Sequence, residues 1–182
     1  AFSDYSFNAD ESKALLATDV ESIYRRSSKG IFYVVDMASG QKQQLMAGEK
    51  ISYATLSPDN NQVAFVKDNN LYVTDLATNT ATQLTFDGEA NRIINGAADW
   101  VYEEEFSMAQ AFKWSPDGKK IAFSKQVLVE KVMGKDKFAD TPKTTAQVYT
   151  DLNHRHWDYF NEGKYQPETS HQKSAVPKVV PL

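Results

Sequence analysis

Three glutamates in a row, Glu103-Glu104-Glu105, follow Asp99-Trp100-Val101-Tyr102 and precede Phe106. On a strand, adjacent carboxylates point to opposite faces. On a helix, neighbours lie about 100° apart around the axis, so two of them can meet at one point in space. Two carboxylates converging in a partly dry pocket make a site for an ammonium group, each charge-assisted hydrogen bond contributing about 1.5–3 kcal/mol. Without a cation, their mutual repulsion raises the pKa of one of them, so the pair selects a cation over a neutral polar group. The same run also fits a solvated acidic helix start, where the macrodipole favours negative charge. The spacing by itself is compatible with both readings.

No other constellation in the sequence offers comparable chemistry. There are no cysteines, which excludes thiolate catalysis, disulfides and cysteine-rich zinc sites. The histidines are His154, His156 and His171. His154 and His156, two residues apart, suit one face of a strand and supply two ligands, where a structural zinc site takes four. No metal and no cofactor is therefore expected. A serine hydrolase needs Gly-x-Ser-x-Gly on a strand–turn–helix. That motif does not occur, so no catalytic residue is assigned within the chain.

The elements that carry the acidic run are marked by repeats. Asn8-Ala9-Asp10-Glu11-Ser12-Lys13, Ser57-Pro58-Asp59-Asn60-Asn61-Gln62 and Ser115-Pro116-Asp117-Gly118-Lys119-Lys120 share one pattern. Each is a turn of Pro, Asp, Asn or Gly type leading into a short apolar run of strand length. A second repeat interleaves with the first. Phe32-Tyr33-Val34-Val35-Asp36 and Leu71-Tyr72-Val73-Thr74-Asp75 read as strands, each followed by a turn and a further strand, over 41–45 and 80–85. Apolar and polar positions alternate only partly, as expected of strands buried on both faces. A cycle of about 40–50 residues with four short antiparallel strands is the pattern of β-propeller blades.

The fold class expected is therefore all-β: a partial propeller of about two to three four-stranded blades. A short helix over 99–108, capped by Asp99 after the Asn95-Gly96 turn, is inserted to carry the glutamates. Residues 1–125 are assigned to the blades. Residues 126–182 are assigned to a further propeller or linker segment, partly irregular, with a strand over 126–132 and a loop-like tail holding Pro167, Pro177 and Pro181. About two and a half blades do not close a ring, which takes four to eight, so a larger protein is expected.

Composition narrows the function classes. The chain has 182 residues, 41% hydrophobic and 24% charged, with a net charge of −4. That is globular composition without the basic surface a nucleic-acid partner requires. No apolar run approaches the roughly 18 residues of a membrane span. The opening residues carry no basic-then-apolar secretion signal.

The segment Asp99-Trp100-Val101-Tyr102-Glu103-Glu104-Glu105-Phe106, followed by Trp114-Ser115-Pro116-Asp117-Gly118, closely resembles the substrate-recognition segment of the dipeptidyl peptidase IV family of serine peptidases, within the prolyl oligopeptidase group. The resemblance covers roughly residues 1–125. It implies an eight-bladed propeller over a catalytic α/β-hydrolase domain, and a peptide substrate with a free N-terminus whose ammonium is bound by Glu104 and Glu105. It further implies release of Xaa-Pro, or less often Xaa-Ala, dipeptides. Tyr24-Arg25-Arg26-Ser27 resembles the family's aromatic-Arg-x-Ser stretch, which implies that Arg25 contacts a substrate carbonyl. Homodimerisation and a periplasmic or cell-surface location are implied likewise. The Arg155-His156-Trp157-Asp158 stretch, with Glu162-Gly163-Lys164, departs from that pattern and resembles a propeller segment of related dipeptidyl or acylaminoacyl peptidases. A non-catalytic propeller that binds peptide N-termini or protein partners is the alternative.

Overall fold

The computed structural model describes residues 2–90, 92–128, 164–165 and 177–181. The first sheet is an antiparallel meander of β1 (Asp4–Phe7), β2 (Lys13–Ser22), β3 (Ser28–Asp36) and β4 (Lys42–Gln44). The second repeats it with β5 (Ser52–Leu56), β6 (Gln62–Lys67), β7 (Asn70–Asp75) and β8 (Thr80–Gln83). The third is built around the long β11 (Lys120–Leu128), which pairs with β9 (Ile93–Asn95), β10 (Phe112–Trp114), β12 (Lys164–Tyr165) and β13 (Pro177–Pro181). Between β9 and β10 stands one helix, α1 (Trp100–Phe106). The architecture is a partial β-propeller with an inserted helix.

The repeated turns have one physical design. In the second sheet the Ser57 hydroxyl bonds Asp59 at 2.6 Å and accepts from the Gln62 N–H at 3.0 Å. In the third, Ser115 bonds Asp117 at 2.6 Å and accepts from the Lys120 N–H at 2.9 Å. In the first, the Asn8 side-chain oxygen takes the Lys13 N–H at 2.9 Å. The fourth residue of each turn is left-handed: Glu11 at φ 57°, Asn60 at φ 62° and Gly118 at φ 70°. The second repeat is as regular. Asp36 accepts from the Ser39 N–H and Asp75 from the Thr78 N–H, at 2.8 and 2.9 Å. Hydrogen bonds to the charged form hold the Asp36, Asp59, Asp75 and Asp117 carboxyls below their ordinary pKa.

The middle sheet is covered on both faces. Val63 and Phe65 of β6 pack with Leu15, Val34, Leu45 and Ile51 of the first sheet and its exit. Ala64 and Val66, pointing the other way, pack with Ala97, Phe112, Ile121 and Phe123 of the third. Polar ties repeat across the same gaps. Gln43 donates to the Leu76 carbonyl at 3.2 Å, and the Trp114 indole donates to the Thr55 carbonyl at 3.1 Å.

Two segments differ from the sequence expectation. β11 runs through position 125 without a break, so the assigned domain boundary falls inside a strand. The tail, expected to be loop, contributes β13, paired antiparallel to Lys120–Ser124. Its prolines occupy the strand's two ends, where a missing N–H is tolerated. The stretches around His154, His156 and His171, with Arg155, Trp157 and Asp158, lie outside the described residues, as does the expected strand beyond Leu128.

Candidate functional site

The acidic run lies on α1, and the start of that helix is set locally. Gly96 precedes it at φ 77°, and a side chain there would press on Leu71 and Val66 at 3.2 Å. Asp99 is the N-cap: its extended backbone ends the turn, and its carboxylate accepts the Tyr102 N–H at 3.0 Å. The Asp99 N–H is itself held by the Gln126 side chain at 3.0 Å. Ser107, left-handed at φ 54°, stops the helix after Phe106.

With the cap fixed, the helical phase decides where each glutamate goes. Glu103 is four residues after Asp99 and shares its face. Both are buried, at 0% and 1% exposure. Glu104, the next step round, keeps 19% of its side chain exposed. Glu105, one step further, is exposed, as are Phe106 and Ser107.

Arg25 arrives from the hairpin between β2 and β3. The turn is closed by N–H bonds from Ile23 and Tyr24 to the Ser27 carbonyl, at 2.8 and 3.3 Å, and by the Ser27 hydroxyl, which accepts from the Tyr24 N–H at 3.1 Å. That leaves Arg25 at its tip, with 74% of its side chain exposed. Its guanidinium Nε stands 3.4 Å from Glu104 Oε1. So open an ion pair adds little stability, about 0–1 kcal/mol. Its importance is geometric: a cationic fork and a carboxylate are presented together at the surface.

The structure thus brings Arg25 and Glu104 together, and leaves Glu105 beside them on the exposed side of the helix. A cavity of about 340 Å³ opens nearby, lined by Tyr24, Ser27, Lys50, Tyr53 and Ala98 among others. Glu104 and Glu105 are not among its lining residues. Lys50 at its rim is bound by Asp19 and Glu21 at 3.1 and 3.5 Å. The Asp19 contact is the leading reason that its ammonium pKa is raised.

Two features were not anticipated from the sequence. Glu103 Oε1 accepts the backbone N–H groups of Arg26 and of Ser27, the latter at 3.1 Å. Tyr53, at φ 60° in β5, is pushed up to about 12 by burial and then by the Glu103 charge, with a Ser27 hydrogen bond acting in the opposite sense. The signal for Glu103 was available. An N-cap at Asp99 puts the residue four positions later on the buried face.

The comparisons with known proteins come to the same part of the chain. The family model described as the dipeptidyl peptidase IV N-terminal region matches residues 8–127. A probable dipeptidyl-aminopeptidase B of Chaetomium globosum is 41% identical over 118 residues, covering 63% of this chain and 13% of that protein. Dipeptidyl aminopeptidase A of Saccharomyces cerevisiae is 34% identical over 125 residues, covering 62% of this chain and 13% of that protein. Among solved structures, dipeptidyl peptidase 4 of Porphyromonas gingivalis superposes with a TM-score of 0.66 at 38% identity, over 69% of this chain and 18% of that one. The chain therefore spans less than a fifth of each of these relatives. Sheets, turns and matched residues agree: the chain belongs to the dipeptidyl peptidase IV N-terminal region family.

Proposed function

We propose that the chain is the substrate-recognition part of a dipeptidyl peptidase IV-like serine exopeptidase. In this reading its catalytic α/β-hydrolase domain lies on sequence outside these 182 residues. The full-length protein releases Xaa-Pro, or Xaa-Ala, dipeptides from peptide N-termini, in the periplasm or at the cell surface. Glu104 and Glu105 take the N-terminal ammonium of the peptide, and Arg25 donates to a carbonyl of the first residues. Anchoring the ammonium at a fixed distance presents the second peptide bond to the nucleophile, which is why dipeptides leave. The hydrolase domain supplies acyl transfer through a serine ester and an oxyanion hole.

One observation carries this reading: the 3.4 Å pairing of Arg25 with Glu104, two residues far apart in sequence, at an accessible surface. A carboxylate with a fork-shaped donor beside it matches the ammonium and carbonyl at a peptide's start. The test uses the full-length protein and a Gly-Pro chromogenic amide, with and without an acetylated N-terminus. Cleavage confined to the free amine is expected; equal cleavage of the two overturns the reading. The 182-residue chain alone is expected to release no chromophore.

A further inference from the structure

Glu103 is the one member of the acidic run that peptide binding leaves unused, and it is the most constrained. Its side chain is completely buried. Its Oε1 receives two backbone N–H groups from the hairpin turn that carries Arg25. The bonds from Ile23 and Tyr24 to Ser27 shape that turn but do not fix where it stands relative to α1. The Glu103 carboxylate does. It grips the turn one and two residues beyond Arg25, while the neighbouring Glu104 meets the Arg25 side chain itself. Tyr53 closes the group from the second sheet, facing both Ser27 and the Glu103 charge. Glu103 thus joins α1 to the β2–β3 turn, next to the residue that forms the ion pair.

We propose that Glu103 is a positioning residue: it sets the register of Arg25 against Glu104, and thereby the affinity for the peptide end bound there. The inference rests on the function proposed above. Two charge-assisted bonds of this kind, lost together, correspond to about a tenfold or greater weakening of whatever depends on the turn's position.

The experiment measures kcat and KM of the full-length protein on the Gly-Pro amide for Glu103→Ala, Glu103→Gln, Arg25→Ala and the Glu103→Ala/Arg25→Ala pair. The unmodified protein is first checked for discrimination against the acetylated amide. Equal cleavage there overturns the site reading and this inference with it. Given discrimination, Glu103→Ala is expected to raise KM roughly tenfold or more with kcat within about twofold. Glu103→Gln, which keeps an acceptor oxygen, is expected to restore most of the affinity. In the Arg25→Ala background the Glu103 change is expected to add nothing, because the residue it positions is gone. If Glu103→Ala does not fold, Glu103→Asp takes its place; it keeps the charge but withdraws the oxygen by one methylene, and must show the same masking. A folded variant with unchanged KM, or a KM effect that multiplies with that of Arg25→Ala, overturns the proposal.

Discussion

Replacing Asp99 by Ala removes the one group that both starts α1 and fixes its phase. The carboxylate accepts the Tyr102 N–H at 3.0 Å and is 1% exposed, so water does not easily take its place. Losing an N-cap of this type costs about 0.5–2 kcal/mol. Losing the negative charge at the helix start costs about 0.3–1 kcal/mol more. Together they give roughly 1–3 kcal/mol. α1 has seven residues, far below the length at which a helix persists alone, so the loss appears as local opening. Native-state hydrogen exchange reads it directly. The amides of Tyr102 and Glu103 are expected to exchange about 5- to 150-fold faster, while the amide of Phe65 in β6 keeps its protection. Asp99→Asn, which keeps the acceptor, is expected to lose only the charge contribution. Unchanged exchange at Tyr102 in Asp99→Ala contradicts the capping role of Asp99. So does a loss spread evenly over β6 and α1, which would mean that the cap supports the whole fold.

Phe65→Ala empties the centre of the middle sheet, where the ring is fully buried and stacks on Tyr72 with centroids 5.6 Å apart. A loss of about 3–5 kcal/mol is expected by urea unfolding. Tyr53 gives the alkaline limit. Its folded pKa is raised from 10.0 to about 12, so its contribution is complete below pH 10 and disappears as pH rises through about 12. The span corresponds to roughly 2–3 kcal/mol. Urea unfolding followed between those pH values is expected to show that loss, and Tyr53→Phe is expected to flatten it.

Several parts of this structure can be read from residue types because short-range chemistry decides them. The Ser57 and Ser115 turns are specified by a hydroxyl, an Asp two residues on and a residue tolerant of positive φ, all within six positions. The Asp99 cap is specified over four. Burial of β6 on both faces follows from its unbroken Val-Ala-Phe-Val run. What escapes is whatever a distant partner decides. The Asp99 cap marks Glu103 as the buried glutamate, but only contact with the Arg25 turn separates the paired Glu104 from the exposed Glu105 and gives Glu103 its partners. The strand at Pro177–Pro181 escapes for the same reason. Two prolines in five residues read as loop, until β11 offers an edge to pair with.

In the proposed function a carboxylate grips a peptide's charged end beside an arginine. The measurement closest to it is kcat/KM of the full-length protein on the free and acetylated Gly-Pro amides, before and after Glu104→Ala and Glu105→Ala. Each substitution is expected to nearly abolish cleavage of the free amine, so that its advantage over the acetylated substrate disappears. If both variants retain that advantage undiminished, the ammonium is bound elsewhere and Glu104 and Glu105 do not form its site.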